Sequence, residues 1–500
     1  MSNTAEEENI HPRLLWLEPI RPIILLDDLK RKYKYKPKKF VINPVIGEYD
    51  DPAHQKQCLL NLPLSKNGNT IIFGSAGSGK TSFLNAMIYS LISEHSPEEV
   101  NLYLLDFASE TLRAFKDAPQ VGDVIVSHEE EKVKNLFKML QAECENRKKL
   151  FSDFGGDYDA YISNSGSTLP SIVVAINNYA AFSELYEDLD YVITNLTRDG
   201  IKYGVYFVIT AAAVNNVRFR LSQNFNLHYA LQLNDETDYS TIVGRTEGLY
   251  PSKYKGRGLV KIEELYEFQT ASLIENGSVF SFIKEYCKNV SKKHKGKKAS
   301  CVPVLPDMVN EDFLKEYVTN KSGTVIPIGV ETSSLDINNY DFGKRYINYI
   351  LSSGEEYLNY LNDLIHFDSN LFKHKGYVFD AGGVIEGISK SYKLANTSKL
   401  CDKYIAELFD IVLKRNNTYK TAIEKGKKPK ETDLLFVYIN SLEALCSVIN
   451  EENKDKLFLI LEKGSVKYNL SIIIGDKVAS MSAFSYETWY KNNVSKNDVL

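Results

Sequence analysis

Gly74, Ser75, Ala76, Gly77, Ser78, Gly79, Lys80 and Thr81 fit the pattern G-x-x-x-x-G-K-[ST], and Ser82 follows in an apolar helical stretch. The run before them, 70–73, reads as a strand, so the motif stands between strand and helix, the setting it requires. Glycines at these places let backbone N–H groups close around phosphate oxygens, and the helix turns its positive end toward the same charge. Lys80 is expected to reach the β- and γ-phosphates, and the Thr81 hydroxyl to hold Mg²⁺. The implied chemistry is binding of ATP with Mg²⁺, residues 74–82 forming the binding loop.

A hydrolysing phosphate-loop motor usually ends its second core strand with Asp-Glu; here that place carries Asn177 and Asn178. An amide accepts a hydrogen bond from metal-bound water but takes no proton, and general-base help contributes ~10²–10⁴-fold to rate. The expectation is a tight ATP site with slow hydrolysis, served by Lys80 and the degenerate pair Asn177 and Asn178. Glu184, Asp188 and Asp106 are alternative bases that spacing alone does not place. Arg218 and Arg220 follow the strand ending at Thr210, and Arg257 sits in Lys255-Gly256-Arg257-Gly258. Arg218 and Arg257 are candidates to reach a neighbouring subunit's γ-phosphate, as arginines do in ring NTPases. A carboxylate partner within the same module is the competing role.

These residues need a scaffold, and the chain writes one twice. Val45-Ile46-Gly47-Glu48-Tyr49 resembles Pro327-Ile328-Gly329-Val330-Glu331, and the loop at 74–85 faces 349–359. Leu104-Leu105-Asp106 pairs with Val378-Phe379-Asp380, the run 172–178 with 434–440, and 207–210 with 472–475, all in chain order. Short apolar runs without alternation suit strands buried on both faces, so each copy is read as an α/β module: a mostly parallel sheet flanked by helices. Apolar Val133, Leu136, Phe137 and Leu140 recur at helical spacing within 129–154, which predicts an amphipathic outer helix. In the second copy Ser352-Ser353-Gly354-Glu355-Glu356 replaces the loop, with Glu355 for the lysine and Glu356 for the metal-binding hydroxyl. Two carboxylates there suit the helix dipole but repel a triphosphate, and Glu355 is expected to imitate the missing anion. After Gly475 only 25 residues remain, so the second copy is either a trimmed fold or cut before its natural end.

Composition narrows the class. Five hundred residues imply two or more domains, and the 43% hydrophobic and 25% charged shares are those of globular chains. A net charge of −5 gives no general affinity for nucleic acid, and no nucleic-acid partner is expected. The six cysteines are scattered without a C-x-x-C pair, which favours reduced thiols over a metal site. No apolar run approaches a membrane span and the N-terminus is acidic, so this piece reads as soluble. The basic stretch 291–298 reads as a solvated linker.

With these features together, the chain resembles the C-terminal tandem ATPase modules of the EssC/EccC proteins, the FtsK/SpoIIIE-type motors of type VII (ESX, Ess) secretion. The residues that carry the resemblance are Trp16-Leu17-Glu18-Pro19, the loop 74–81, Ile176-Asn177-Asn178, Gly256-Arg257-Gly258, the degenerate Ser353-Gly354-Glu355-Glu356, and Ile439-Asn440. Val302-Pro303-Val304-Leu305-Pro306 resembles the lead-in to the family's last module. The resemblance implies two tandem P-loop NTPase modules with a degenerate second copy. Residues 1–38 would be a linker from a preceding module, 39–290 the FtsK-like ATPase, 291–300 a basic linker and 301–500 the degenerate module. It further implies a longer, membrane-anchored protein at the cytoplasmic face of the membrane, forming a ring with its other modules. Its cargo would be exported helical-hairpin proteins of the WXG type, whose C-terminal tails the last module recognises. Trp16-Leu17 would dock on the missing first module or pack as this module's own first segment. The competing functions are an FtsK/SpoIIIE-like DNA translocase and a non-catalytic scaffold.

Overall fold

The runs 171–177 and 205–211 contain no solvent-facing polar position, and both become strands in which every residue is buried. The computed structural model describes residues 18–294, 296–306, 308–331, 335–372, 374–429 and 432–493. The chain divides between Val304 and Leu305 into two units; Trp16 and Leu17 lie outside the described residues.

The first unit is built on a ten-stranded sheet. Its strands are β1 (Val45–Asp51), β2 (Lys56–Asn61), β3 (Asn69–Phe73), β4 (Val100–Asp106) and β5 (Val121–Val126), followed by β6 (Ser171–Asn177), β7 (Val205–Ala211), β8 (Phe225–Leu231), β9 (Arg257–Lys261) and β10 (Leu265–Thr270). Their order is β2-β1-β10-β9-β8-β3-β7-β6-β4-β5. The stretch from β8 to β5 is parallel, whereas β9, β10, β1 and β2 extend it as antiparallel neighbours. Helices cover both faces, as a parallel sheet requires. The helix Glu130–Phe151 buries Val133, Leu136, Phe137 and Leu140 as its spacing predicts.

Three segments that read as linkers belong to this unit. Leu26–Lys32 is a helix that buries Leu26 and Leu29 in the core, and Leu26 N–H donates to the Ser272 carbonyl at 2.9 Å. The helix Val279–Lys293 carries the start of the basic stretch, because Ile283, Cys287 and Val290 hold its inner face down. Its last-turn lysines also complement the negative helix end. Beyond it, the chain runs along the outer strand of the sheet. Ala299 N–H donates to the Pro119 carbonyl at 2.8 Å, the Tyr103 hydroxyl to the Ser300 carbonyl at 2.9 Å, and Asn135 Nδ2 to the Pro303 carbonyl at 3.0 Å. Val302 is buried in the core. The apolar residues that resemble a lead-in to the second module thus serve the first, up to Val304.

The second unit holds an antiparallel pair, β11 (Val325–Val330) with β12 (Ile337–Asp341), and a five-stranded parallel sheet. The latter comprises β13 (Ile347–Ser352), β14 (Lys375–Asp380), β15 (Tyr392–Ala395), β16 (Leu435–Asn440) and β17 (Leu470–Lys477), in the order β13-β17-β16-β14-β15. That winding is the same as β3-β7-β6-β4-β5 in the first unit. Correspondence extends to detail: β1 and β11 each bulge just before a glycine, at 45/47 and 327/329.

Asp368 lies fully buried in this unit. It accepts from His374 Nδ1 at 2.6 Å, from the Tyr438 hydroxyl at 2.9 Å and from the Tyr392 hydroxyl. Burial, then the Asp368 charge, pushes both phenols far above their ordinary pKa, so they remain donors. Removing the carboxylate strands three polar groups. Asp368→Ala is expected to destabilise the second unit by about 3–5 kcal/mol. Urea unfolding followed by fluorescence of the buried Trp489, in a Trp16→Phe background, measures it.

Candidate functional site

The loop 74–79 leaves the end of β3 between two neighbouring strands. Gly74 N–H donates to the Ala211 carbonyl at 3.0 Å, and Ser75 gives its N–H and hydroxyl to the Gln232 carbonyl at 2.7 and 3.0 Å. Gly77 and Gly79 take φ of +78° and +111°, a backbone that residues with a Cβ rarely adopt. The helix Lys80–Glu94 then starts with no side chain capping its first amides, which leaves them for an anion. Lys80 Nζ folds back onto the Gly74 and Ser75 carbonyls at 2.5 and 2.9 Å. Burial draws its pKa below that of an ordinary lysine.

This cradle fits a nucleotide phosphate chain. A Cβ on Gly74 would lie 2.4 Å from Ser78 Oγ, and one on Gly79 would lie 2.6 Å from Gly256 N. Ser78 Oγ is buried with no partner among the described residues. Lys80 would hold the terminal phosphates, and the Thr81 hydroxyl would take Mg²⁺. Gly256 closes the cradle from outside: its N–H donates to the Ser78 carbonyl at 2.8 Å. Beside Thr81 and Ser82 opens a cavity of about 340 Å³, walled by Leu273, Phe280 and Ile283 and reached by Lys255 and Asn85. Neither Lys255 nor Asn85 stands out in the sequence as a site residue, since only the return of β10 and the helix Val279–Lys293 brings this wall to the loop.

At the neighbouring strand ends, Asn177 Nδ2 donates to Asp106 Oδ1 at 2.9 Å, and Asn177 Oδ1 accepts from the Thr210 hydroxyl at 3.1 Å. Asn178 takes a left-handed φ of +67°, and its amide donates to the Phe107 carbonyl at 3.1 Å. Asp106 also accepts from the Ala108 and Leu112 N–H groups at 3.1 and 3.0 Å. Buried and committed to three donors, Asp106 is no free base. Of the other two named carboxylates, Glu184 lies on the helix Tyr179–Leu185 that Asn178 begins, and Asp188 in the short helical turn Glu187–Leu189 after it.

In the second unit the loop is closed by its own side chain. Gly354 N–H donates to Glu356 Oε2 at 3.0 Å, and Tyr357 N–H to Ser352 Oγ at 3.1 Å. Its own backbone N–H, then the Ser352 hydroxyl, hold the Glu356 carboxyl below the usual carboxylate range. Glu355 instead points away to Lys477, at 3.0 Å. The anion mimic is therefore Glu356, one residue later than expected, because only a side chain at the first helical position folds back onto the loop amides.

A profile of the FtsK/SpoIIIE family matches residues 37–247. The first unit carries an FtsK/SpoIIIE domain. The chain is homologous to EssC: the type VII secretion system protein EssC of Staphylococcus aureus (strain MRSA252) is 24% identical over 479 residues, 92% of this chain and 31% of that protein. The chain spans less than a third of the length of the curated relatives it matches. Its fold is that of EssC (ATPases 2 and 3) from Geobacillus thermodenitrificans, at a TM-score of 0.78 and 17% identity over 97% of this chain and 93% of that one. Thermomonospora curvata EccC (ATPases 2 and 3), solved with a signal sequence peptide, aligns at a TM-score of 0.55 and 20% identity, covering 96% and 91%. Both units share the mostly parallel sheet with flanking helices of these tandem P-loop ATPase modules. Among the described residues no helix is long and apolar enough to cross a membrane.

In the first unit, beyond the matched stretch 37–247, one arginine expectation is corrected. Arg257 is 2% exposed, and its guanidinium donates to Gln269 Oε1 at 2.8 Å, Glu267 Oε2 at 3.2 Å and the Ile20 carbonyl at 2.7 Å. Locked inside its own unit, it has no reach to a neighbour's phosphate. Arg218 is exposed and pairs with Glu187 and Asp190 at 3.2 and 3.0 Å. Such solvated pairs break at little cost. Gly79→Ala is expected to weaken Mg-nucleotide binding at least about tenfold, since the left-handed backbone and the Gly256 contact both oppose a methyl, at roughly 1–3 kcal/mol for the strain. Titration with a fluorescent nucleotide, beside an unchanged far-ultraviolet circular dichroism spectrum, checks it.

Proposed function

We propose that this chain forms two consecutive modules of a type VII secretion motor, the first binding Mg-ATP and turning it over slowly, the second holding exported cargo. The contrast between the two loops carries the reading: the first is open to phosphate, with Lys80 at its base, while in the second Glu356 already takes the Gly354 N–H. When bound, the nucleotide supplies a γ-phosphoryl group for transfer to water. Lys80 would leave the Gly74 and Ser75 carbonyls for the phosphates, and Thr81 would orient the metal. Asn177 and Asn178 would order water without taking its proton, which keeps turnover slow. In a ring assembly Arg218 would be the arginine free to reach a neighbouring site.

The cargo surface is argued from the correspondence between the units. On the first, residues 299–304 lie against Tyr103, three positions before the strand-end Asp106. Tyr377 holds that place on β14, three before Asp380. There Lys393 covers the rings of Tyr377 and Tyr404 at 5.2 and 5.4 Å and pairs with Glu407 at 2.6 Å. An exported protein's C-terminal tail, of the WXG class, would displace Lys393 and lay an apolar side chain on these rings. The signal sequence peptide bound to the Thermomonospora curvata EccC supports a peptide role for this part of the motor.

Calorimetry of the whole chain is expected to find one Mg-ATP per molecule, none in Lys80→Ala, and tail-peptide binding retained in that variant. Tyr404→Ala is expected to weaken the peptide about tenfold while leaving ATP binding unchanged. A second nucleotide per chain, or ATP binding that survives Lys80→Ala, overturns the division of labour. Retarded duplex DNA in an electrophoretic shift would favour a DNA translocase instead.

A further inference from the structure

Two buried oxygens beside the phosphate loop have no partner among the described residues, Asn85 Oδ1 and Thr111 Oγ1. Both residues line the cavity that opens next to Thr81 and Ser82, together with the apolar Leu273 and Phe280. Asn85 stands four residues after Thr81 on the helix Lys80–Glu94, hence on the same face and about one turn further in. A polar pair among apolar lining residues, contiguous with a phosphate cradle, is the composition of a pocket for a flat heteroaromatic ring.

An asparagine amide offers one acceptor beside two donors in a plane. Adenine presents the complement, an amine donor next to a ring-nitrogen acceptor, and Asn pairs bidentately with that edge. Guanine reverses the pattern, with its O6 acceptor where adenine has the amine. Because Oδ1 is the atom left without a donor, the base must bring one. We propose that Asn85, supported by Thr111, reads the nucleobase and selects adenine over guanine; this rests on nucleotide binding by the first unit.

The test is calorimetric titration of the whole chain with Mg-ATP and, separately, Mg-GTP. Wild type is expected to prefer ATP by roughly ten- to hundredfold. Asn85→Asp replaces the donor with a second acceptor, which suits the N1–H and amine of guanine, so the preference should fall to near unity or invert. Asn85→Ala should weaken ATP with GTP little changed, and it decides the matter if the aspartate variant misfolds. Thr111→Val should weaken ATP by a smaller factor. Equal affinity of wild type for the two nucleotides, or an unchanged ratio in both Asn85 variants, overturns the assignment and leaves nucleotide binding intact. Failure of wild type to bind either nucleotide sinks the binding reading itself.

Discussion

A phosphate loop curls its amides inward around a charge, so a loop without that charge needs something else to hold its curvature. In the first unit the support comes from outside and below. Gly256 donates to the Ser78 carbonyl at 2.8 Å, and Lys80 bridges two carbonyls at the loop's base. Gly256 is there because β9 and β10 return antiparallel to the parallel sheet, and the Thr270 N–H fixes the Gly256 carbonyl at 2.8 Å. The second unit's five-stranded sheet has no counterpart of that return among the described residues. There Glu356 supplies the charge from within, accepting from Gly354 at 3.0 Å. One unit keeps its loop available by bracing it with a hairpin; the other gives up availability and braces the loop with its own carboxylate.

The strand-end amides follow from the same economy of charge. Asn177 gives its N–H to Asp106 and takes the Thr210 hydroxyl, while Asn440 gives its N–H to Asp380 at 2.8 Å. A carboxylate at either position would face a buried carboxylate at hydrogen-bond distance, where like charges repel strongly. With Asp106 already anchored by two backbone amides, the neutral amide is the group that fits. The cost is chemical, since the position that ordinarily handles a proton now only donates and accepts hydrogen bonds. In the second unit Asp476, raised in pKa mainly by burial, receives the Leu442 N–H at 2.9 Å. That carboxylate is spent on starting the helix Leu442–Val448.

What the sequence made legible was local. The loop 74–82 declares itself because its spacing is set by backbone geometry, and β3, β4, β6 and β7 with their counterparts because parallel strands buried on both faces read as unbroken apolar runs. The antiparallel extension was legible only in pieces: 45–49 shows through the repeat and 256–258 as a Gly-Arg-Gly stretch, but β2 carries exposed and half-buried residues and β9 follows a turn-rich stretch. Residues 302–306 resembled a lead-in to the second module, since apolar residues between domains do not say which core they join. Arg257 was a candidate by analogy with the arginines of ring NTPases, and its position between glycines does not reveal its partners. Its three acceptors, one of them 237 residues away, come together only in the fold. Asn85 does not stand out in the sequence, because the apolar residues that share its cavity come from 271–283.

The corrected role of Arg257 links parts of the first unit that sequence distance separates. Its guanidinium takes the Ile20 carbonyl at 2.7 Å, its backbone N–H takes the Tyr254 carbonyl at 3.0 Å, and its neighbour Gly256 holds the Ser78 carbonyl. The segment ahead of the module is thus joined to the phosphate loop through a single arginine and the glycine before it. The segment is fastened to the sheet as well, through the Ile24 carbonyl and the Ser272 N–H at 2.7 Å. If residues 18–25 were drawn away by another module, the guanidinium would lose the Ile20 carbonyl as an acceptor, a hydrogen bond to a charged group that contributes about 1–3 kcal/mol. That loss falls one residue from the contact that curves the loop. Gly256, at the open end of the β9–β10 hairpin, lies so close to Gly79 that a Cβ there would be 2.6 Å from its nitrogen, so a shift of this end presses on the loop. Whatever holds the leading segment therefore also bears on how well the loop receives phosphate.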